Sequence, residues 1–138
     1  MGNEVSAGAI IFRREDGIVK YLLLHYGSGH WDYVKGHIEK GEDTLTTMKR
    51  ECQEETGIKD LQLMPEFHHE IRYFYRNGKE TISKTVYFYL AETKTADVKI
   101  SFEHIGYEWL PYEEALGRVT YANSREVLKK AHEVVEKL

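Results

Sequence analysis

Three things are scarce in this chain of 138 residues, and each absence closes off a class of function. Cysteine occurs once, at Cys52, so no internal disulfide framework is available and the chain suits a reducing compartment, the cytoplasm. Positive charge is not in excess: 19 Lys and Arg face 23 Asp and Glu, for a net charge of −4. No global positive field therefore draws in nucleic acid, and a polyanionic ligand needs a local solution, such as a metal ion or a basic pocket. Long apolar runs are missing as well. Nothing approaches the roughly 20 residues of a membrane span, and the N-terminus lacks a signal-peptide core. "MGNEVS" matches a myristoylation pattern, but "VSAGAIIF" begins a strand almost at once, and the match is read as chance.

What remains is the composition of a soluble globular protein, with 41% hydrophobic and 30% charged residues and a length that suits one domain, residues 1–138. "EVSAGAIIFR" (4–13) and "VKYLLLHY" (19–26) read as a hairpin about the turn "REDG". A glycine-bearing loop follows. "DTLTTMKRECQEET" then reads as a helix capped by Asp43 or Thr44 and stopped by Gly57. "LQLMPEFHHEIRYFY" and "ETISKTVYFYLAET" are long strand candidates joined at "RNGK", and "DVKISFEHIGYEWL" is a further strand or loop pair. "PYEEALGRV" and "NSREVLKKAHEVVEKL" complete the chain as helices. Strands enclosing one helix and followed by others predict an α/β protein with a mixed sheet between helices.

The first helix poses a physical problem. At 100° per residue Leu45, Met48 and Cys52 form its apolar stripe, and Glu51, Glu54 and Glu55 form a second stripe beside it. Like charges three and four residues apart cost about 0.2–0.5 kcal/mol per pair, and more beside a core, where the dielectric is low. A divalent cation relieves that repulsion, and carboxylates from one rigid helix are the hard oxygen donors that Mg²⁺ prefers.

Other signatures fail. "GHIEKG" starts like a P-loop but has Glu42 and Asp43 where Lys and Ser/Thr are required, and "GSGHWD" lacks the third glycine of a dinucleotide fingerprint. No HExxH or paired CxxC supports a zinc site. His68 and His69 read as ordinary strand residues facing opposite ways, and Cys52 as core.

The stretch "GHIEKGEDTLTTMKRECQEETGI" (36–58) closely resembles the signature of the Nudix hydrolase family, filling its nine fixed positions over 23 residues. Cys52 stands where a small or aliphatic residue is usual. The resemblance implies an α/β/α sandwich carrying a catalytic loop-helix-loop. It also implies metal-dependent cleavage of a nucleoside diphosphate linked to another group. It marks Glu51, Glu54 and Glu55, with the Gly36 carbonyl, as ligands of Mg²⁺, with Mn²⁺ as the alternative ion. Glu42 and Arg50 become a supporting pair that ties loop to helix.

Within that family, "HWDYVKGHIEKGED" resembles the diadenosine tetraphosphate hydrolases, in which a Trp precedes a Lys-Gly-His, although Val34 stands where they commonly have proline. The resemblance makes Lys35 and His37 phosphate contacts. "SFEHIGYEWLPYEEAL" is similar to their segment carrying one more glutamate, which marks Glu103 as a metal ligand or the base that positions water; Phe102 replaces a histidine of the animal enzymes. Tyr121 matches a base-stacking position, with Tyr75 or Tyr73 and Phe88 as partners. The implied substrate is a small dinucleoside polyphosphate, and the base candidates are Glu54 and Glu103, with Glu51 beside them. Rival readings are hydrolysis of oxidised dNTPs, ADP-ribose or RNA 5′-pyrophosphate, and a nucleotide sensor without catalysis. Such sensors lose signature glutamates, and here all are present.

Overall fold

A computed structural model describes residues 2–138. Strands β1 (Gly2–Glu15) and β2 (Ile18–Tyr26) form the expected hairpin, turning through Asp16 and Gly17, both at positive φ. The short strands β3 (Trp31–Asp32) and β4 (Val34–His37) lead into helix α1 (Thr44–Thr56). Strands β5 (Gln62–Leu63), β6 (His69–Asn77), β7 (Glu80–Glu92) and β8 (His104–Pro111) follow, then helices α2 (Tyr112–Arg118) and α3 (Ala122–Glu136).

One expected long strand is two. "LQLMPEFHHEIRYFY" breaks between β5 and β6 at a turn around Pro65, where the ring removes a ladder donor. Phe67 N–H bonds back to the Met64 carbonyl there. Both pieces still pair antiparallel with β7, which they flank in series.

The eight strands make one mixed sheet. β1 runs parallel to β7 from Gly2 to Phe12, and its other edge is shared by β4 (at Ser6–Ala9) and β2 (at Phe12–Glu15), both antiparallel. β8 lies beyond β2. Because helices cover both faces, β1 is buried continuously from Ser6 to Phe12. Alternation then decides which way each residue looks. Ala7, Ala9 and Ile11 pack with Leu22, Leu24, Met48 and Cys52 under α1. Ile10 and Phe12 pack with Tyr21, Leu23, Phe88 and the α3 residues Val127, Leu128 and Ala131. Each such aliphatic or aromatic side chain removed from water contributes about 1.5–3 kcal/mol before entropy. The result is an α/β/α sandwich. None of the described helices is long and apolar enough to cross a membrane.

Candidate active site

Helix α1 begins where Asp43 accepts a hydrogen bond from Thr46 N–H, and it ends at Gly57, at φ 75°. Its packing against β1 and β4 separates the three glutamates. Glu55 is buried, Glu51 is nearly so and Glu54 projects into solvent. Glu51 lies so close to Gly36 on β4 that a Cβ there would overlap its carboxylate, so a glycine is required by close approach rather than by φ.

Arg50 organises this corner. Its Nε donates to Glu42 at 2.7 Å and Nη2 to the second Glu42 oxygen at 3.1 Å, a two-point fork. Nη1 reaches Glu51 at 2.8 Å and Glu54 at 3.0 Å, and Nη2 also holds the His37 carbonyl. The loop before the helix, β4 and the glutamates are thereby joined through one guanidinium. The Arg50 hydrogen bond, then the Glu39 N–H, hold the Glu42 carboxyl down at about 2.

Glu55 has the opposite environment. Burial drives its carboxyl far above the usual range, and the neighbouring Glu51, Glu103 and Glu54 push the same way. Neither of its oxygens has a hydrogen-bond partner among the described residues. Buried polar atoms are rarely left so. Glu103, exposed in the turn just before β8, and the buried His104 bring their ligand atoms together with that of Glu55, all within 4.8 Å of one another. Burial holds the His104 imidazole below its usual pKa. An orphaned buried carboxylate ringed by further carboxylates fits a divalent cation.

Lys35 and His37 look the other way. Alternation along β4 turns Val34 and Gly36 toward α1, and Lys35 toward a cavity of about 580 Å³ on the α3 face of the sheet. Ile71, Tyr73, Tyr75 and Tyr121 wall this cavity, together with His30 and Asp32. Lys35 Nζ donates to the buried Asp32 at 3.2 Å; burial alone would lower its pKa, but Asp32 outweighs this and holds it above the ordinary lysine range. His37 meets Lys84 Nζ at 3.2 Å. Lys84 occupies an inward position in the β7 row Ile82-Lys84-Val86-Phe88-Leu90, where burial depresses its pKa against the pull of Glu4.

Cavity and carboxylates are neighbours. Tyr121 tilts against His30 at 5.5 Å between centroids, His30 stacks on Tyr26 at 4.6 Å, and Tyr26 meets His104 edge-on at 4.6 Å. The candidate metal cluster thus lies at one end of an aromatic path and the tyrosine cavity at the other.

The profile of the NUDIX domain matches residues 2–131. This chain belongs to the Nudix family. The rat asymmetrical bis(5′-nucleosyl)-tetraphosphatase (Rattus norvegicus) is 38% identical, over 93% of this chain and 92% of that protein. The Caenorhabditis elegans enzyme of the same name is 35% identical, over 91% of each. Among solved structures, a binary complex of the C. elegans Ap4A hydrolase superposes with a TM-score of 0.83 at 27% identity, covering 98% of this chain and 99% of that one. The protein is accordingly a Nudix pyrophosphohydrolase, of a family that uses a divalent metal.

One sequence expectation fails here. Phe88 is not available to stack on a base: it is 1% exposed and packs edge-on against Tyr33 within the α3-side core. Phe88 belongs to the inward row of β7, whereas Tyr87 and Tyr89, on the opposite face, are only half-buried. Tyr75 and Tyr121, half-open on the cavity rim, do line the Nudix protein's pocket. His30 and Asp32 in the cavity wall, His104 in the carboxylate cluster and Tyr26 between them carried no assigned role in the sequence. The local signals were the stretches "HWD" and "EH", and their meaning depends on strands that meet far along the chain.

Proposed function

We propose that this chain hydrolyses diadenosine tetraphosphate asymmetrically, to ATP and AMP, by attack of water on phosphorus. The observation that carries the reading is the adjacency of an unsatisfied carboxylate cluster to a tyrosine-walled cavity that holds a buried lysine. Resemblance to the tetraphosphatases supports it along nearly the full length of the chain. The whole chain acts as one domain, in the cytoplasm.

Tyr121 and Tyr75, with Tyr73, offer ring faces to an adenine, and such stacking contributes about 1–3 kcal/mol per base. Lys35, kept charged by Asp32, meets the phosphates inside the cavity, with His37 and Lys84 beside it. Glu51, Glu55 and Glu103 would hold Mg²⁺ with the Gly36 carbonyl, and Arg50 keeps Glu51 and Glu54 in place. When bound, the cation neutralises phosphate charge and lowers the pKa of the attacking water. Glu54 and Glu103 are the exposed carboxylates of the set, so either reaches a water on the solvent side and takes its proton. Arg50 and Glu42 support this geometry and do not take part in the proton transfer.

The test is kcat/KM for diadenosine tetraphosphate, ADP-ribose, 8-oxo-dGTP and triphosphorylated RNA, each with Mg²⁺ and with chelator. The expected result is Mg²⁺-dependent turnover of the first, well above the others. A preference for another substrate would refute the assignment, and tight nucleotide binding without turnover of any would point to a sensor.

A further inference from the structure

His104 sits at a β-bulge. Tyr26 pairs with His104 while His25 pairs with Gly106, so Ile105 is the extra residue. Ile105 is thrown out to 63% exposure, and His104 is turned in to 5%. The imidazole is then held on three sides. Ser101 Oγ lies 3.2 Å from Nδ1, Tyr26 packs edge-on, and Nε2 faces Glu55 Oε1 at 3.2 Å. That last distance suits a hydrogen bond, yet none forms. Nε2 and both Glu55 oxygens remain without a hydrogen-bond partner among the described residues. Buried polar groups left unpaired beside one another are placed to share a ligand such as a cation. Glu103 adds a third donor atom within 4.8 Å of the other two.

We propose that His104 Nε2 is itself a metal ligand, and that with Glu55 and Glu103 it forms a mixed nitrogen–oxygen site that selects a first-row transition-metal dication, such as Mn²⁺, over Mg²⁺. The inference rests on the cation-binding reading of the Glu55 cluster. Mg²⁺ takes oxygen donors, whereas imidazole nitrogen suits the transition metals. The Nδ1 side has the partner such a ligand needs: Ser101 Oγ is placed to accept from Nδ1–H, and in that tautomer the Nε2 lone pair is free.

Mn²⁺ is titrated into the full chain, with the free ion followed by its EPR signal and the bound ion by electron spin-echo envelope modulation. Bound Mn²⁺ should show ¹⁴N modulation that changes when the histidines carry ¹⁵N and disappears in His104→Gln. In that variant the Kd for Mn²⁺ should rise about tenfold, while the Kd for Mg²⁺, read by competition, moves less than about threefold. If His104→Gln fails to fold, modulation retained in both His30→Gln and His37→Gln still supports His104. Modulation lost in either of these overturns it. Saturable Mn²⁺ binding without nitrogen modulation overturns the His104 assignment and leaves the carboxylate site standing. No saturable binding overturns both.

Discussion

Glu42 keeps its charge to unusually low pH because Arg50 is bonded to it, and this has a measurable consequence. Its carboxyl lies at about 2 in the folded chain against 4.5 for an ordinary glutamate. The folded state therefore binds fewer protons than the unfolded chain between those values, so this contribution is complete above pH 4.5 and is lost as pH falls toward 2. Glu42→Gln should flatten the acid limb of a stability-against-pH curve, measured by urea unfolding, and leave the neutral limb parallel to wild type. Glu54 calls for a different experiment. Its side chain is 57% exposed and contacts Arg50, so truncation costs the fold little. Glu54→Ala should lower kcat at least about a hundredfold, the scale of general base catalysis, with the unfolding midpoint within a few degrees of wild type. Normal activity in that variant would remove Glu54 from the mechanism.

Helix α1 and strand β4 depend on each other through a single missing methyl group. Gly36→Ala would drive a Cβ into Glu51, which must leave both the strand and Arg50. Divalent-ion affinity, measured by titration calorimetry, should then weaken while far-ultraviolet circular dichroism stays native; unchanged affinity would separate Glu51 from the metal site. The ends of α1 were legible in advance because capping is local chemistry: Asp43 bonds Thr46 three residues on, and Gly57 supplies positive φ. The break between β5 and β6 was legible in principle, since Pro65 marks it. The face of each aromatic on β7 was not, because Tyr87, Phe88 and Tyr89 run consecutively and put aromatics on both faces, and only the packing buries the Phe88 row while leaving the Tyr87 row half-open.

The roles of His104 and Tyr26 could not be read locally for a related reason. Each acquires its place only when β8 pairs with β2 through a bulge and the pair closes over α1, a juxtaposition of segments some eighty residues apart. The glutamate signature announces cation chemistry by itself, whereas the substrate is set by a cavity that β3, β4, β6 and α3 assemble jointly. A molecule of net charge −4 has little overall attraction for a polyphosphate, and Lys35 puts positive charge in the cavity wall. Lys35→Ala should raise KM for the dinucleotide more than it lowers kcat, and the effect should shrink at high salt. Asymmetric cleavage is the reaction proposed for this cavity. Its most direct test is separation of the products of diadenosine tetraphosphate hydrolysed with Mg²⁺ in ¹⁸O-labelled water. ATP and AMP are expected in equal amounts, with one label on phosphorus in one of the two. ADP as the sole product, or no product from the folded, metal-loaded chain, would contradict it.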